Sequence, residues 1–461
     1  MPAVADKNEQ QGACLRRSLS LWDLVLYGII LIQPTAPMPV FGVVSQEARG
    51  HVVTTILIAM VAMLFTAISY GRMARAYPSA GSAFTYVGSE IHPVWGYITG
   101  WSMAMDYILN PILCTIWCSK AAENIVQEIP YAVWVVLFAL LFTGLNLRGI
   151  KASARTNRML AAALGVVILI FLAAAVRFLL RLHPSGGAFF TQPFYDATSF
   201  SAPALFTGTS IAVLTYIGFD GISTLSEETR DPRRNILRAT VLVCLITGAL
   251  ASLEVYAAQL IWPYRHAFPD VDTAFSFVAG RAAAPGAPES LLRSVWLFQL
   301  VNAALLVASI GSGSGAQLGA ARLLYGMGRA GALPPSFFGK IDAHRGIPRN
   351  NVILIGVITM LSAFVLSYQL SAELLNFGAL IAFTGVNLAA FRRYYLRGHK
   401  TPGNALPPLA GAAISLYLWM SLRTPAKIAG GAWMLAGILY GAWRTGGFRK
   451  NLAVFDAPQN E

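Results

Sequence analysis

LYGIILIQPTAPMPVFG, residues 26–42, decides how this chain is to be read. Its ends are as apolar as a membrane helix, yet Pro34, Pro37 and Pro39 stand near its middle. Each proline removes a backbone N–H and obstructs the helical turn behind it, so the cluster predicts a local unwinding. Irregular backbone at membrane depth is tolerated only where protein buries it or a wet cavity receives it. The segment therefore predicts a broken helix beside a cavity, deep in a membrane protein.

The rest of the chain supplies the membrane. Of 461 residues, 56% are hydrophobic and only 12% are charged, with a mean hydropathy of +0.57. A soluble domain carries roughly twice that charged fraction. Disordered, collagen-like and disulfide-built chains are excluded by the same figures. Apolar runs recur at 21–44, 52–71, 94–117, 131–147, 159–180, 201–225, 236–262, 294–321, 351–368, 374–391, 406–420 and 428–443. A hydrocarbon core about 30 Å thick needs about 20 residues of helix, so an all-α polytopic membrane protein of twelve transmembrane helices is expected. Barrel strands would be half as long and strictly alternating. The polar first 19 residues hold no short apolar stretch with a cleavage site, so the first run is expected to be a retained span rather than a signal peptide.

Charge gives the orientation. Of the 34 Lys and Arg, 25 fall in the two tails and in every second loop, which predicts both termini in the cytoplasm of a cell inner (plasma) membrane. The net charge of +13 follows from that asymmetry and is spread over seven short stretches. A nucleic-acid partner would need a contiguous basic face, so the lipid bilayer is the expected surroundings instead.

A second candidate break lies in FTGTSIAVLTYIGFDGISTLSEET, residues 206–229, where Gly218 and Gly221 bracket Asp220. The two breaks fall in the first and sixth runs. Broken helices five apart are the pattern of inverted repeats with a substrate site between them. Ala80–Glu90 is expected to form an amphipathic re-entrant helix, and Arg265–Arg293 to hold a short gating helix.

Asp106, Asp220 and Glu254 lie inside apolar runs, with no Lys or Arg comparably deep. Asp23 and Glu373 stand near run ends, within reach of headgroups. Buried carboxylates lacking a fixed cation cost several kcal/mol. A proton, a metal ion or an organic amine relieves that cost, and an anion does not. Asp106 is read as the acceptor for a substrate ammonium, against the alternative of a structural hydrogen-bonding acid. Asp220 is read as a titrating or gating acid, against a cap for the helix break, and Glu254 as a vestibule or packing residue. Of the unwound first helix, Gln33, Thr35, Ala36, Met38 and Val40 retain N–H groups, but the prolines have none for a carboxylate. The carbonyls remain, which favours an amine-bearing solute. Tyr107, Tyr216 and Phe219 are either lids over the cation or ordinary packing.

Gly311, Gly315 and Gly319 recur at a spacing that lets helices approach closely. Ser309, Ser312 and Ser314 with Asn302 are either structural hydroxyls or helpers at an ion site. Cys114 and Cys118 read as small hydrophobes. The six histidines fall in loops or at run ends, and no metal constellation, phosphate loop or nucleophile–base pair appears. No enzyme, no cofactor and no ATP-driven pump is therefore expected.

The stretches FTAISYGRMARAYPSAGSAFTYV (65–87), GWSMAMDYI (100–108), YIGFDGISTLSEETRDPRRNI (216–236), ARLLYGMGR (321–329) and LLNFGALIAFTGVNL (374–388) resemble the amino acid–polyamine–organocation permeases, and most closely their putrescine-importer-like branch. That resemblance implies an inverted-repeat core of ten helices over residues 20–395, with tails at 1–19 and 446–461 and two peripheral helices within 396–445. It implies secondary active import of an amino acid or polyamine, coupled to a proton (or to sodium) or run as exchange. By position, Asp220 matches the acid of the sixth-helix break, Asp106 the pocket-facing residue of the third helix, and Tyr216, Ile217, Gly218 and Phe219 the unwound lining. The branch has an acid in the first-helix break where Pro39 aligns here. A diamine needs acceptors at both ends, so Asp106 and Asp220 would share that role. The lysine that some proton-coupled relatives carry in the fifth helix is missing. A transport-inactive sensor of the same fold is the alternative function.

Overall fold

The computed structural model describes residues 19–77, 82–148, 154–184, 186–225, 229–329, 333–342 and 345–448. Most of both expected tails lies outside the described residues. The helices, in chain order, are α1 Leu21–Ile32, α2 Pro37–Glu47, α3 Val52–Ala76, α4 Ser82–Glu90, α5 Pro93–Ile125, α6 Tyr131–Leu147 and α7 Ala154–Leu182. A short turn, α8 Gly187–Thr191, leads to α9 Ala202–Ala212, α10 Pro232–Ile261 and α11 Ala274–Ala283. The chain ends with α12 Trp296–Arg329, α13 Pro335–Phe338, α14 Arg349–Ser362, α15 Tyr368–Phe391, α16 Pro402–Ser421 and α17 Thr424–Thr445. The sole β feature among the described residues is an isolated bridge between Leu19 and Thr229.

Among the described residues six helices are long and apolar enough to cross a membrane, and up to eight spans result if each of two bent pairs counts once. The first pair is α1 with α2, which meet at 56° across the proline cluster, and the second is α16 with α17, which meet at 112°. The shorter α6 and α14 are also apolar. Large apolar side chains point outward along these helices, among them Leu140, Leu169, Leu180, Leu361, Leu435 and Trp443. Such a surface matches lipid, not water.

Local chemistry fixes the helix ends. Ser20 caps α1, accepting from the Asp23 N–H while the Asp23 carboxylate accepts from the Ser20 N–H at 2.9 Å. Both sequence-expected accessory helices form, as α4 and α11.

Hydrogen bonds gather the connections into two ends of the bundle. At one end, which we call the terminal end, Arg230 N–H donates to Leu19 O, Arg72 reaches Gly403 O, Arg345 reaches Leu147 O and Arg392 reaches Ile91 O. At the opposite end Thr54 donates to Phe194 O, Tyr131 to Ala363 O and Thr207 to Ser421 O. Glu373 belongs to this second end but is buried, not splayed toward headgroups. It takes Gln369 at 3.1 Å and Arg423 at 3.6 Å, and Arg423 also holds Glu47 at 3.1 Å.

A clamp secures α4 at the terminal end. Glu90 is 1% exposed and binds Arg393 at 2.7 Å and Arg397 at 3.3 Å. The Tyr77 hydroxyl donates to it at 2.6 Å. Burial, and then this hydrogen bond, push the Tyr77 phenol up to about 12. Replacing Glu90 by Ala strands Tyr77 and Arg393 together, and a loss of about 2–3 kcal/mol is expected. A fall in the Tm of the detergent-purified protein checks it, and an unchanged Tm removes the clamp from the fold's supports.

Candidate functional site

The two broken helices meet at their breaks. α1 stops at Gln33, whose φ of +73° is unusual for a residue with a side chain. Its amide donates to Ala308 O at 2.9 Å and so pins the break to α12. Ala36 and Met38 turn their N–H groups back onto Gln33 O and Thr35 O, which leaves still fewer donors for an anion. The Thr35 hydroxyl is buried here without a partner. In the sixth run, α9 tightens into a 3₁₀ turn over Val213–Tyr216, breaks at Ile217–Gly218, and resumes as 3₁₀ over Phe219–Leu225. Gly218 has φ +120°, a conformation that suits glycine alone. A Cβ placed there would lie 3.4 Å from Ile32, and one on Gly221 would collide with Leu31. The end of α1 therefore rests directly on the second break.

Beside this junction lies a cavity of about 620 Å³, its open mouth included. The first break lines it with Leu31, Ile32, Gln33, Ala36, Pro39 and Val40, and the second with Leu214 and Ile217. α5 contributes Asn110, Leu113, Cys114 and Trp117. Ser309 and Ser312 of α12 and Tyr368 of α15 complete the walls. The α5 residues stand at helical spacings of three and four, which place them on one face. Asp106, one turn before Asn110, continues that same face.

The Asp220 charge is felt at the Asp106 carboxyl, and both acids act on the Tyr70 and Tyr107 phenols. Both acids are half-buried. Among the described residues neither forms an ion pair, and the Arg–Glu pairs all lie at the bundle's two ends. The Asp220 carboxyl accepts from backbone N–H groups at Gly218, Asp220 and Gly221, so it also caps the break. Its own carbonyl accepts from the Ser223 hydroxyl at 2.6 Å.

The structure brings together Gln33, Ala36 and Ile217 on the cavity walls, with Gly218 at the junction behind them. It turns other candidates elsewhere. Tyr216 is fully buried and donates to Ile56 O at 2.9 Å. Phe219 packs edge-on against Tyr70, at 5.6 Å between ring centres. The Tyr107 ring lies on Gly319 of α12, and Met38 faces the core. Glu254 is fully buried with both carboxyl oxygens unpartnered, the environment of neither a vestibule nor a salt bridge. Sequence reading passed over Asn110, Trp117 and Tyr368. The signal for the first two was the spacing Asp106–Asn110–Leu113–Trp117 on one helix. For Tyr368 no local signal exists.

The family model for amino acid permeases matches residues 40–422. The low-affinity putrescine importer PlaP of Escherichia coli (strain K12) is 35% identical over 452 residues, 96% of each chain. The chain belongs to the amino acid permease family. Further relatives of this permease include the branched-chain amino acid permease BcaP of Lactococcus lactis, 25% identical over 94% of each chain, and the methylthioribose transporter of Bacillus subtilis, 24% identical over 94% of each. The permease is thus a multi-pass membrane protein of the amino acid–polyamine–organocation superfamily, on its putrescine-importer-like branch, and its relatives are transporters rather than enzymes.

Proposed function

We propose that this permease imports a small cationic amine, a polyamine or an amino acid, across the inner (plasma) membrane by alternating access. The observation that carries the reading is the junction of two broken helices flanked by Asp106 and Asp220, two half-buried acids without a basic partner among the described ion pairs. An ammonium entering the cavity supplies the missing positive charge, and Asp106 receives it. Asp220 titrates during the cycle and couples the sixth-helix segment to a proton.

The same reading takes α1 and α2 as one span and α16 and α17 as two, which gives twelve with the short helices included. Two five-helix inverted repeats then rock about the junction. The terminal end carries Arg72, Arg345, Arg392, Arg393 and Arg397, and by the positive-inside rule it faces the cytoplasm.

Uptake of radiolabelled putrescine and amino acids into proteoliposomes tests the function, and binding without accumulation would make the protein a sensor instead. Asp220→Asn is expected to retain binding and to flatten the dependence of uptake on an imposed pH gradient. A variant whose uptake follows that gradient as the parent's does would remove Asp220 from coupling.

A further inference from the structure

Resting on that amine-transport reading, we infer that Asp272, in the loop between α10 and α11, is a second cation acceptor that receives the far ammonium of a cargo charged at both ends. The cavity explains why one is needed. No residue of its walls carries a charge, and along α5 Asp106 lies one turn beyond Asn110, at the end of that wall opposite Trp117. A diamine held there would leave its second ammonium facing Trp117, Leu113 and Tyr368. A desolvated ammonium without an acceptor is costly.

Asp272 stands where that acceptor belongs. The indole N–H of the cavity-wall Trp117 donates to its backbone carbonyl at 2.9 Å. Its charge is felt at the phenol of Tyr368, the other aromatic wall. The neighbouring Val271 carbonyl sits against Gly42 of α2, and the Asn124 amide of α5 donates to Thr273 at 2.7 Å. The 270–273 turn therefore bridges the second half of the broken helix and α5. Within the turn, Asp270 is occupied: it accepts from the Asp272 N–H at 3.0 Å and from the Thr273 hydroxyl at 2.9 Å. The Asp272 carboxyl is half-buried and takes part in none of these hydrogen bonds, nor in an ion pair among the described residues.

The charges that act on it are Asp270, on its own turn, and Lys120 of α5, while its own charge reaches the Tyr131 phenol of α6, which Glu123 of α5 also faces, and the Tyr368 phenol of α15. The Lys120 ammonium sits 5.7 Å from the centre of the Tyr131 ring, so it moderates Asp272 without pairing with it. Burial first, and the charge of Asp270 second, push the Asp272 carboxyl up to about 6, with Lys120 opposing. Its charge is thus present above that pH and lost as the pH falls through it.

The experiment is competition and uptake in proteoliposomes of the full chain, with putrescine and its near-isostere pentylamine, which has a single ammonium. Asp272→Asn should raise the KM for putrescine about tenfold, the effect of one charge-assisted contact. It should leave pentylamine inhibition within about twofold and kcat little changed. Trp117→Phe, which frees the turn but keeps the aromatic wall, should move putrescine in the same direction by a smaller factor. Lowering the pH on the 270–273 side from about 7.5 to about 5.5 should raise the parental putrescine KM, and this rise should shrink in Asp272→Asn. A parental putrescine KM retained by Asp272→Asn, or an equal shift for both amines, overturns the role of Asp272 alone. A parental protein that neither binds nor moves any amine overturns the transport reading and this inference with it.

Discussion

Asp106→Asn is expected to lower kcat/KM for amine uptake by about a hundredfold or more while leaving the Tm of the purified protein unchanged. Asparagine keeps the size and hydrogen-bonding capacity of the side chain, so packing along α5 survives. What disappears is the negative charge on the helical face that lines the cavity. Losing one partner of a desolvated charge pair costs about 2–5 kcal/mol, and about 2.8 kcal/mol already corresponds to a hundredfold. Asp220 does not substitute, because backbone N–H groups of the break already engage its carboxyl. Asp106→Glu should recover part of the activity, since the charge returns about one methylene out of place. Initial rates of radiolabelled amine uptake in proteoliposomes decide the matter. If Asp106→Asn works at the parental rate on every amine tried, the acid is structural and the cargo is held by something else.

How far the sequence reached depended on whether a feature was local. Three prolines within one apolar run break a helix wherever the run lies, and the 56° bend between α1 and α2 follows from them. The second break was legible for a similar reason, since the glycine that takes up φ +120° was one of two that flagged it. The aromatic residues beside that break were harder. Tyr216 and Phe219 adjoin it in sequence, but the 3₁₀ turns on either side rotate both into the core. Periodicity of 3.6 gives the wrong face there. Trp117 and Asn110 were readable in principle, because α5 is regular and they share a face with Asp106. Asp272 was not readable at all. Its backbone meets the cavity-wall Trp117 only because the turn before α11 folds back onto α2 and α5, a tertiary contact across more than a hundred residues.

That fold-back makes Gly42 the position at which the smallest substitution should have a large effect. A Cβ on Gly42 would fall inside contact of the Val271 carbonyl and 2.6 Å from the Ala274 Cβ. The first obstacle is backbone, so no rotamer change relieves it, and either α2 or the 270–274 turn has to withdraw. Gly42→Ala is therefore expected to hold the cavity open toward the 270–273 side, and Gly42→Val to do so more strongly. Overpacking of this kind costs about 1–3 kcal/mol, and the upper figure corresponds to about a hundredfold fall in the closed population. Uptake should drop accordingly. Cys114, which lines the cavity and is 7% exposed, supplies the second readout. A membrane-impermeant thiol reagent applied from that side should modify it faster in Gly42→Ala than in the parent, and a Cys114→Ala background should abolish the difference. Faster labelling together with a retained Tm identifies a displaced gate. Slow labelling with parental uptake would mean that the contact between α2 and the turn takes no part in closing the site.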